Sequence, residues 1–268
     1  MPIECQLAVQ LIEVRMREVW RMWNYSTMVV LTVLTAGVFA AILIPFKGIP
    51  LIPGITELRP ANVIPVVFGL LFGPAGAWGA AFGNLIGDFF GTLGIGSFFG
   101  FAGNFLAAYL PYKLWGNRSL DSISGHLPCF VGGVLLGSLA CAQVIGFGLE
   151  LFQLLPFSVI GLAILVNNFI TPVILGPILL RLLYPRVNRW NLLWVELMDP
   201  EDCTPGPFPR LGRILVWGSA LGGYLIGWTR ATGFWGGELA IGIWVMQLSL
   251  PEILAPFIFC LILGCIFL

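Results

Sequence analysis

The residues able to do chemistry in this chain are few and lie mostly in its first two thirds: Glu57, Arg59, Asn62, Asn84, Asp88, Asn104, Asn167 and Asn168. Asn84 and Asp88 sit four apart in "GNLIGDFF" and share one face of a helix. Apolar residues flank the aspartate on both sides. An ionised Asp at mid-membrane costs about 2.5–3.5 kcal/mol, so an intramembrane carboxylate is by default a functional-site hypothesis. Glu57 and Arg59, two apart in "ITELRPAN", project to one side if the segment is extended, and Pro60 biases Arg59 that way. One charge of each sign suits a zwitterionic or amide-rich ligand. The asparagines read hydrogen-bond patterns without a fixed charge. Trp78, Phe89, Phe90, Phe98, Phe99 and Phe101 are close in sequence and are expected to offer one or two rings for stacking. A largely apolar pocket with a few placed polar groups is the usual form of a small-molecule site. The plain alternatives are a helix-end aspartate facing water and an ordinary interfacial loop.

Several chemistries lack their parts. No G-x-x-x-x-G-K-[ST] occurs, and neither lysine, Lys47 or Lys113, follows a glycine, so the chain by itself is no P-loop ATPase. There is no H-E-x-x-H and no G-x-S-x-G. The single histidine, His126, falls in a loop. No two of the six cysteines form a Cys-x-x-Cys pair, which removes the usual zinc and redox signatures. No cofactor or metal site is expected, nor an enzyme. No basic block points to nucleic acid.

The elements that must hold these residues are membrane spans. The chain is 58% hydrophobic and 10% charged, with net charge zero, against about 25% charged in soluble domains. Its mean hydropathy is +0.95. Several apolar runs approach or exceed the ~18 residues that cross a bilayer as a helix. The expected fold class is an all-α polytopic membrane protein. Six spans are expected at about 26–46, 62–73, 77–91, 97–112, 128–150 and 156–182, and further apolar segments at about 212–229, 234–249 and 253–268. The domain reading is a cytoplasmic amphipathic segment at 1–25, a six-span binding core at 26–183, a cytoplasmic loop at 184–211, and two or three additional transmembrane segments at 212–268. Basic residues mark the inner side. With six spans and the N-terminus cytoplasmic, the inner side holds Arg15, Arg17, Arg21, Lys113, Arg118, Arg181, Arg186, Arg189, Arg210 and Arg213, and the outer side of the core only Lys47 and Arg59. This orientation opens the pocket to the outside of the cell membrane. The third span carries glycines at 79, 83, 87 and 91, a spacing that lets helices approach closely in lipid.

These features resemble the substrate-binding (S) component of energy-coupling factor (ECF) transporters, of riboflavin or queuosine-precursor type. The resemblance covers about residues 20–185 and rests on four points: a six-span core, the Ala36-x-x-x-Ala40 pair, the run "PVVFGLLFGPAGAWGAAFGNLIGDFFG" with its F-G-P turn, and "GSFFGFAGNFLAAYLPYKLW". It implies a vitamin or related micronutrient bound near the outer face. It implies a membrane T component contacted through Ala36 and Ala40, and cytosolic ATPase subunits that supply the energy. The loop at 48–60 would be the lid. On this reading Glu57, Arg59, Asn62, Asn84, Asp88, Asn104 and Asn168 bind the substrate. Substituting Glu57, Asn84 or Asp88 by Ala is expected to weaken binding and spare the fold. Residues 212–268 and the loop at 188–210 exceed a minimal S component. The alternative from a different class is a self-sufficient secondary transporter using Asp88 as an ion or proton site, but such folds usually show inverted repeats, and no convincing repeat is present. A membrane enzyme or a structural assembly protein is a third class, opposed by the missing catalytic motifs.

Overall fold

The computed structural model describes residues 16–268 except 47–49, 53–55, 58, 92, 117, 122, 205, 207, 235–238, 242–243 and 247–248. For 50–52, 56–57, 239–241 and 244–246 it describes the backbone alone, and likewise for 124. Eight principal helices carry the fold: α1 (Ser26–Phe46), α2 (Val63–Phe72), α3 (Pro74–Asp88), α4 (Gly96–Trp115), α5 (Leu127–Leu151), α6 (Phe157–Arg189), α7 (Pro209–Ala231) and α8 (Leu250–Phe267). Two short antiparallel hairpins pair Pro50–Ile52 with Thr56–Glu57 and Leu239–Ile241 with Trp244–Met246.

α1, α3, α4, α5 and α6 follow one another around a bundle, and α2 lies inside it, touching α1, α3, α4 and α6. All ten residues of α2 are buried. A helix of that length rises about 15 Å, half of the ~30 Å hydrocarbon core, and irregular backbone at membrane depth is tolerated only where protein surrounds it. The chain leaves α2 through Gly73, whose φ of +55° suits glycine, and Pro74 opens α3. Gly73 also admits a neighbour: a Cβ there would stand 2.5 Å from the ring of Trp194. The glycine ladder of α3 faces α1. Cβ atoms at 79 and 83 would meet the Thr35 side chain at 2.4 Å and the Ala36 carbonyl at 2.9 Å.

Among the described residues four helices have both the length and the apolarity to cross a membrane: α1, α5, α6 and α8. α4 and α7 are 20 and 23 residues long but more polar. The molecule is a multi-pass membrane protein. The expected span at 234–249 is corrected: its described residues pair as the hairpin Leu239–Ile241/Trp244–Met246 and form no helix. Short apolar runs with β-branched and aromatic residues, such as "LAIGIWVM", satisfy a strand as readily as a helix. The C-terminal addition therefore comprises α7 and α8, which pack on each other and on α5, with α7 also touching α6.

One end of the bundle is clasped. Lys113 Nζ lies 2.6 Å from Glu18 Oε1, and the Trp78 indole N–H donates to the Val19 carbonyl at 3.0 Å. The Tyr25 hydroxyl meets the carboxylates of Asp199 and Asp202 at 3.0 and 2.9 Å. The backbone N–H of Asp199 donating to Tyr25 Oη lowers the phenol's pKa, but desolvation and the two carboxylates outweigh it and push it up to about 12. The N–H of Gly206 donates to the carbonyl of Leu268. Arg17, Arg21, Lys113, Arg118, Arg186, Arg189 and Arg210 gather at this end.

Candidate functional site: a polar-walled cavity

At the opposite end a cavity of about 240 Å³ opens between α3, α4, α5 and α6. Arg59, Asn84, Asp88, Asn104 and Asn168 all line it. They come from four places in the sequence, and the fold brings them together. Asp88 is 7% exposed, and its Oδ2 accepts from Asn84 Nδ2 at 3.2 Å. Asn104 Nδ2 donates to the Gly100 carbonyl at 2.8 Å, one turn back on α4. Asn62 stands behind this wall, its Nδ2 donating to Asn168 Oδ1. Arg59 has a buried Nε with no hydrogen-bond partner among the described residues.

These bonds give the cavity a direction. Asn84 and Asn104 each spend an amide N–H on an internal acceptor, which leaves their oxygens with no partner among the described residues. Together with the Asp88 carboxylate they make the α3/α4 side rich in acceptors. Arg59 supplies fixed positive charge and an Nε–H without a partner among the described residues. The floor is glycine: a Cβ at 100 would stand 2.8 Å from Asn84 Nδ2 and one at 96 would stand 3.0 Å from Leu149. The opposite wall is aliphatic, built by Ile145, Leu149, Leu155, Ile160 and Ile164.

Several expectations need adjusting. The Glu57 side chain lies outside the described residues; its backbone forms the second strand of the hairpin before α2. The aromatic residues do not stack on the cavity. Trp78 and Phe101 join Phe82, Phe105, Trp20 and Trp23 in a separate cluster. Phe89, Phe90 and Phe98 are exposed, and Phe99 packs beside Phe152 and Gly148. Ala36 and Ala40 are buried at 5% and 4% exposure, on the side of α1 that faces α3. The open face of α1 instead carries Val30, Val33, Leu34, Gly37 and Ala41. The aliphatic wall and Ser97 were not singled out from sequence. Ile145 and Leu149 continue a four-residue spacing from Cys141, but nothing distinguishes an apolar pocket residue from a lipid-facing one without the fold.

A second cavity, about 360 Å³, lies at the clasped end beside Tyr112, Trp115, Arg118, Tyr184 and Trp194. The Tyr112 hydroxyl there is buried without a partner among the described residues, while other polar groups are engaged within the protein. Arg118 donates to the carbonyls of Leu114 and Trp115, and Tyr184 donates to Asp121. In the first cavity the Asn84 and Asn104 oxygens and the Arg59 Nε have no partner among the described residues.

Comparison with known proteins agrees with this arrangement. A family model described as QueT transporter matches residues 29–185, which takes in α1 to α5 and most of α6 and so the whole cavity. No match is found among curated proteins or solved structures. The matched segment is more than half of the chain, and the protein belongs to the QueT transporter family, a family of ECF S components for queuosine precursors.

Proposed function

We propose that this chain is the substrate-binding subunit of an ATP-driven micronutrient importer and that its cargo is a queuosine precursor held in the cavity at the Asp88 end. The acceptor-rich α3/α4 wall carries this reading. A 7-deazaguanine base, the core of such precursors, presents N–H donors on the edge of its cyclic guanidine group and a carbonyl oxygen beside them. The Asp88 carboxylate suits the donor edge, with the oxygens of Asn84 and Asn104 nearby, and Arg59 suits the carbonyl. Ile145, Leu149 and Ile164 offer the flat ring an apolar face in place of aromatics. Hydrogen bonds to charged groups contribute about 1.5–3 kcal/mol each, so two placed on one edge outweigh this apolar contact in choosing between ring systems.

On the positive-inside pattern the clasped, basic end is cytoplasmic and the cavity faces out. The energy then comes from partners: a membrane T component and cytosolic ATPase subunits. The open face of α1, with Gly37 and Ala41 among Val30, Val33 and Leu34, is the surface offered to the T component. α7 and α8 pack on α5 and α6 and leave that face clear. Uptake of a labelled 7-deazaguanine base by cells expressing the chain with T and ATPase subunits tests the assignment. Uptake is expected to require every subunit and to stop on ATP depletion. Uptake by the chain alone that collapses with an uncoupler and survives ATP depletion would contradict it.

A further inference from the structure

The pair α7–α8 contributes no residue to the cavity, yet it packs on the two helices that build the cavity's aliphatic wall. On α5, Cys141, Ile145 and Leu149 line the cavity at four-residue spacing. Gln143 is offset by two residues and points the other way, toward α7, where a Cβ at position 223 would stand 2.2 Å from Gln143 Nε2. The tighter joint is at Phe157, the first residue of α6, which is fully buried. Its ring occupies a socket of glycines: Cβ atoms at Gly146 of α5, Gly227 of α7 and Gly161 of α6 would stand 2.7, 3.0 and 3.5 Å away. The Tyr224 ring lies 5.9 Å from it, and a Cβ at 227 would also stand 2.9 Å from Leu254 of α8. The Phe157 N–H donates to Glu150 Oε2 at 2.6 Å across the α5–α6 turn. The turn that supplies Leu155 to the cavity is therefore pinned to a ring that α7 holds in place.

We propose that α7–α8 is a brace for the ligand pocket. Through Gly227 it sets the position of Phe157 and of the α5–α6 turn, and thereby how long a bound ligand is retained. This rests on the reading of the Asp88-end cavity as the ligand site. The seam is not built for stability alone. Both amide atoms of Gln143 and the Tyr224 hydroxyl are buried without a hydrogen-bond partner among the described residues, an arrangement that costs stability. Local rules are broken chiefly where function requires it.

The test uses the full chain in lipid nanodiscs, with a 7-deazaguanine base as probe and backbone amide exchange over residues 149–161 as a second, ligand-free readout. Gly227→Leu displaces the Phe157 ring, and Gly227→Ala does so more gently should the larger variant fail to fold. Gly264→Leu is the comparison: the atoms nearest a Cβ there belong to Val216 and Gly212 of α7, so it disturbs the α7–α8 contact directly. Gly218→Leu, on the open face of α7, is the neutral control. The Gly227 variants are expected to release the base at least tenfold faster with unchanged association, and to speed exchange over 149–161. Gly264→Leu is expected to change neither at an equal loss of Tm. Faster release from Gly264→Leu in proportion to its lost stability, or wild-type release and exchange in both Gly227 variants, overturns the brace. A wild type that does not bind the base overturns the ligand assignment instead. The exchange readout then decides the brace by itself, unchanged protection in the Gly227 variants counting against it.

Discussion

Asp88 and Glu18 are both buried carboxylates, and their surroundings give them opposite roles. Glu18 is 1% exposed and closed off by Lys113 at 2.6 Å. Asp88 faces a cavity with room for a ligand. Removing one partner of a buried pair leaves an uncompensated charge and costs about 3–5 kcal/mol, whereas replacing both can be close to neutral. Lys113→Met should therefore lower the thermal unfolding midpoint sharply, and Lys113→Met combined with Glu18→Leu should restore most of it. A double variant no better than the single one would show that Glu18 holds more than this pair. Asp88 was legible in the sequence because a lone carboxylate stands out in "LIGDFFG". Glu18 was not. Within "RMREVWRMW" it reads as a solvated charge, and what buries it, Lys113 of α4 and the Trp78 contact to Val19, is remote in the chain.

α1 shows what hydropathy reveals about an element and what it conceals. Its length and apolarity are plain in the sequence, and the helix runs from Ser26 to Phe46 as the pattern predicts. Its faces are not plain, because nearly every position is apolar and no polar stripe marks the outside. A shift of one residue turns a helix position by about 100°. That single step separates Ala36 and Ala40, packed toward α3, from Gly37 and Ala41 on the open side. Gly37→Leu with Ala41→Leu should leave ligand binding and Tm near wild type and prevent co-purification with a T component. Ala36→Leu should instead lower Tm, since its side chain would enter the α1–α3 contact. Normal assembly by the Gly37/Ala41 variant would move the partner surface elsewhere. The same ambiguity explains the 234–249 segment, whose apolar run was compatible with a span until the hairpin pairing was seen.

The two ends of the molecule differ in kind. One is basic and tied together by Glu18–Lys113, Tyr25 with Asp199 and Asp202, and Trp194 against Gly73. The other opens on a cavity with a charged and amide wall. The sequence conveyed the polar wall, since asparagines and an aspartate are conspicuous in an apolar chain. It did not convey the aliphatic wall or the place of α7–α8, because residues that face a ligand, a lipid or another helix are chemically alike here. The central claim is that the Asp88 wall recognises a guanidine-type donor edge, and the most direct measurement is a calorimetric titration of the purified chain with a 7-deazaguanine base, wild type against Asp88→Ala. The account predicts saturable one-to-one binding by wild type and a loss of about 2–3 kcal/mol in the variant, about 30- to 150-fold in Kd, with its Tm retained. Equal affinity in the two proteins would contradict it.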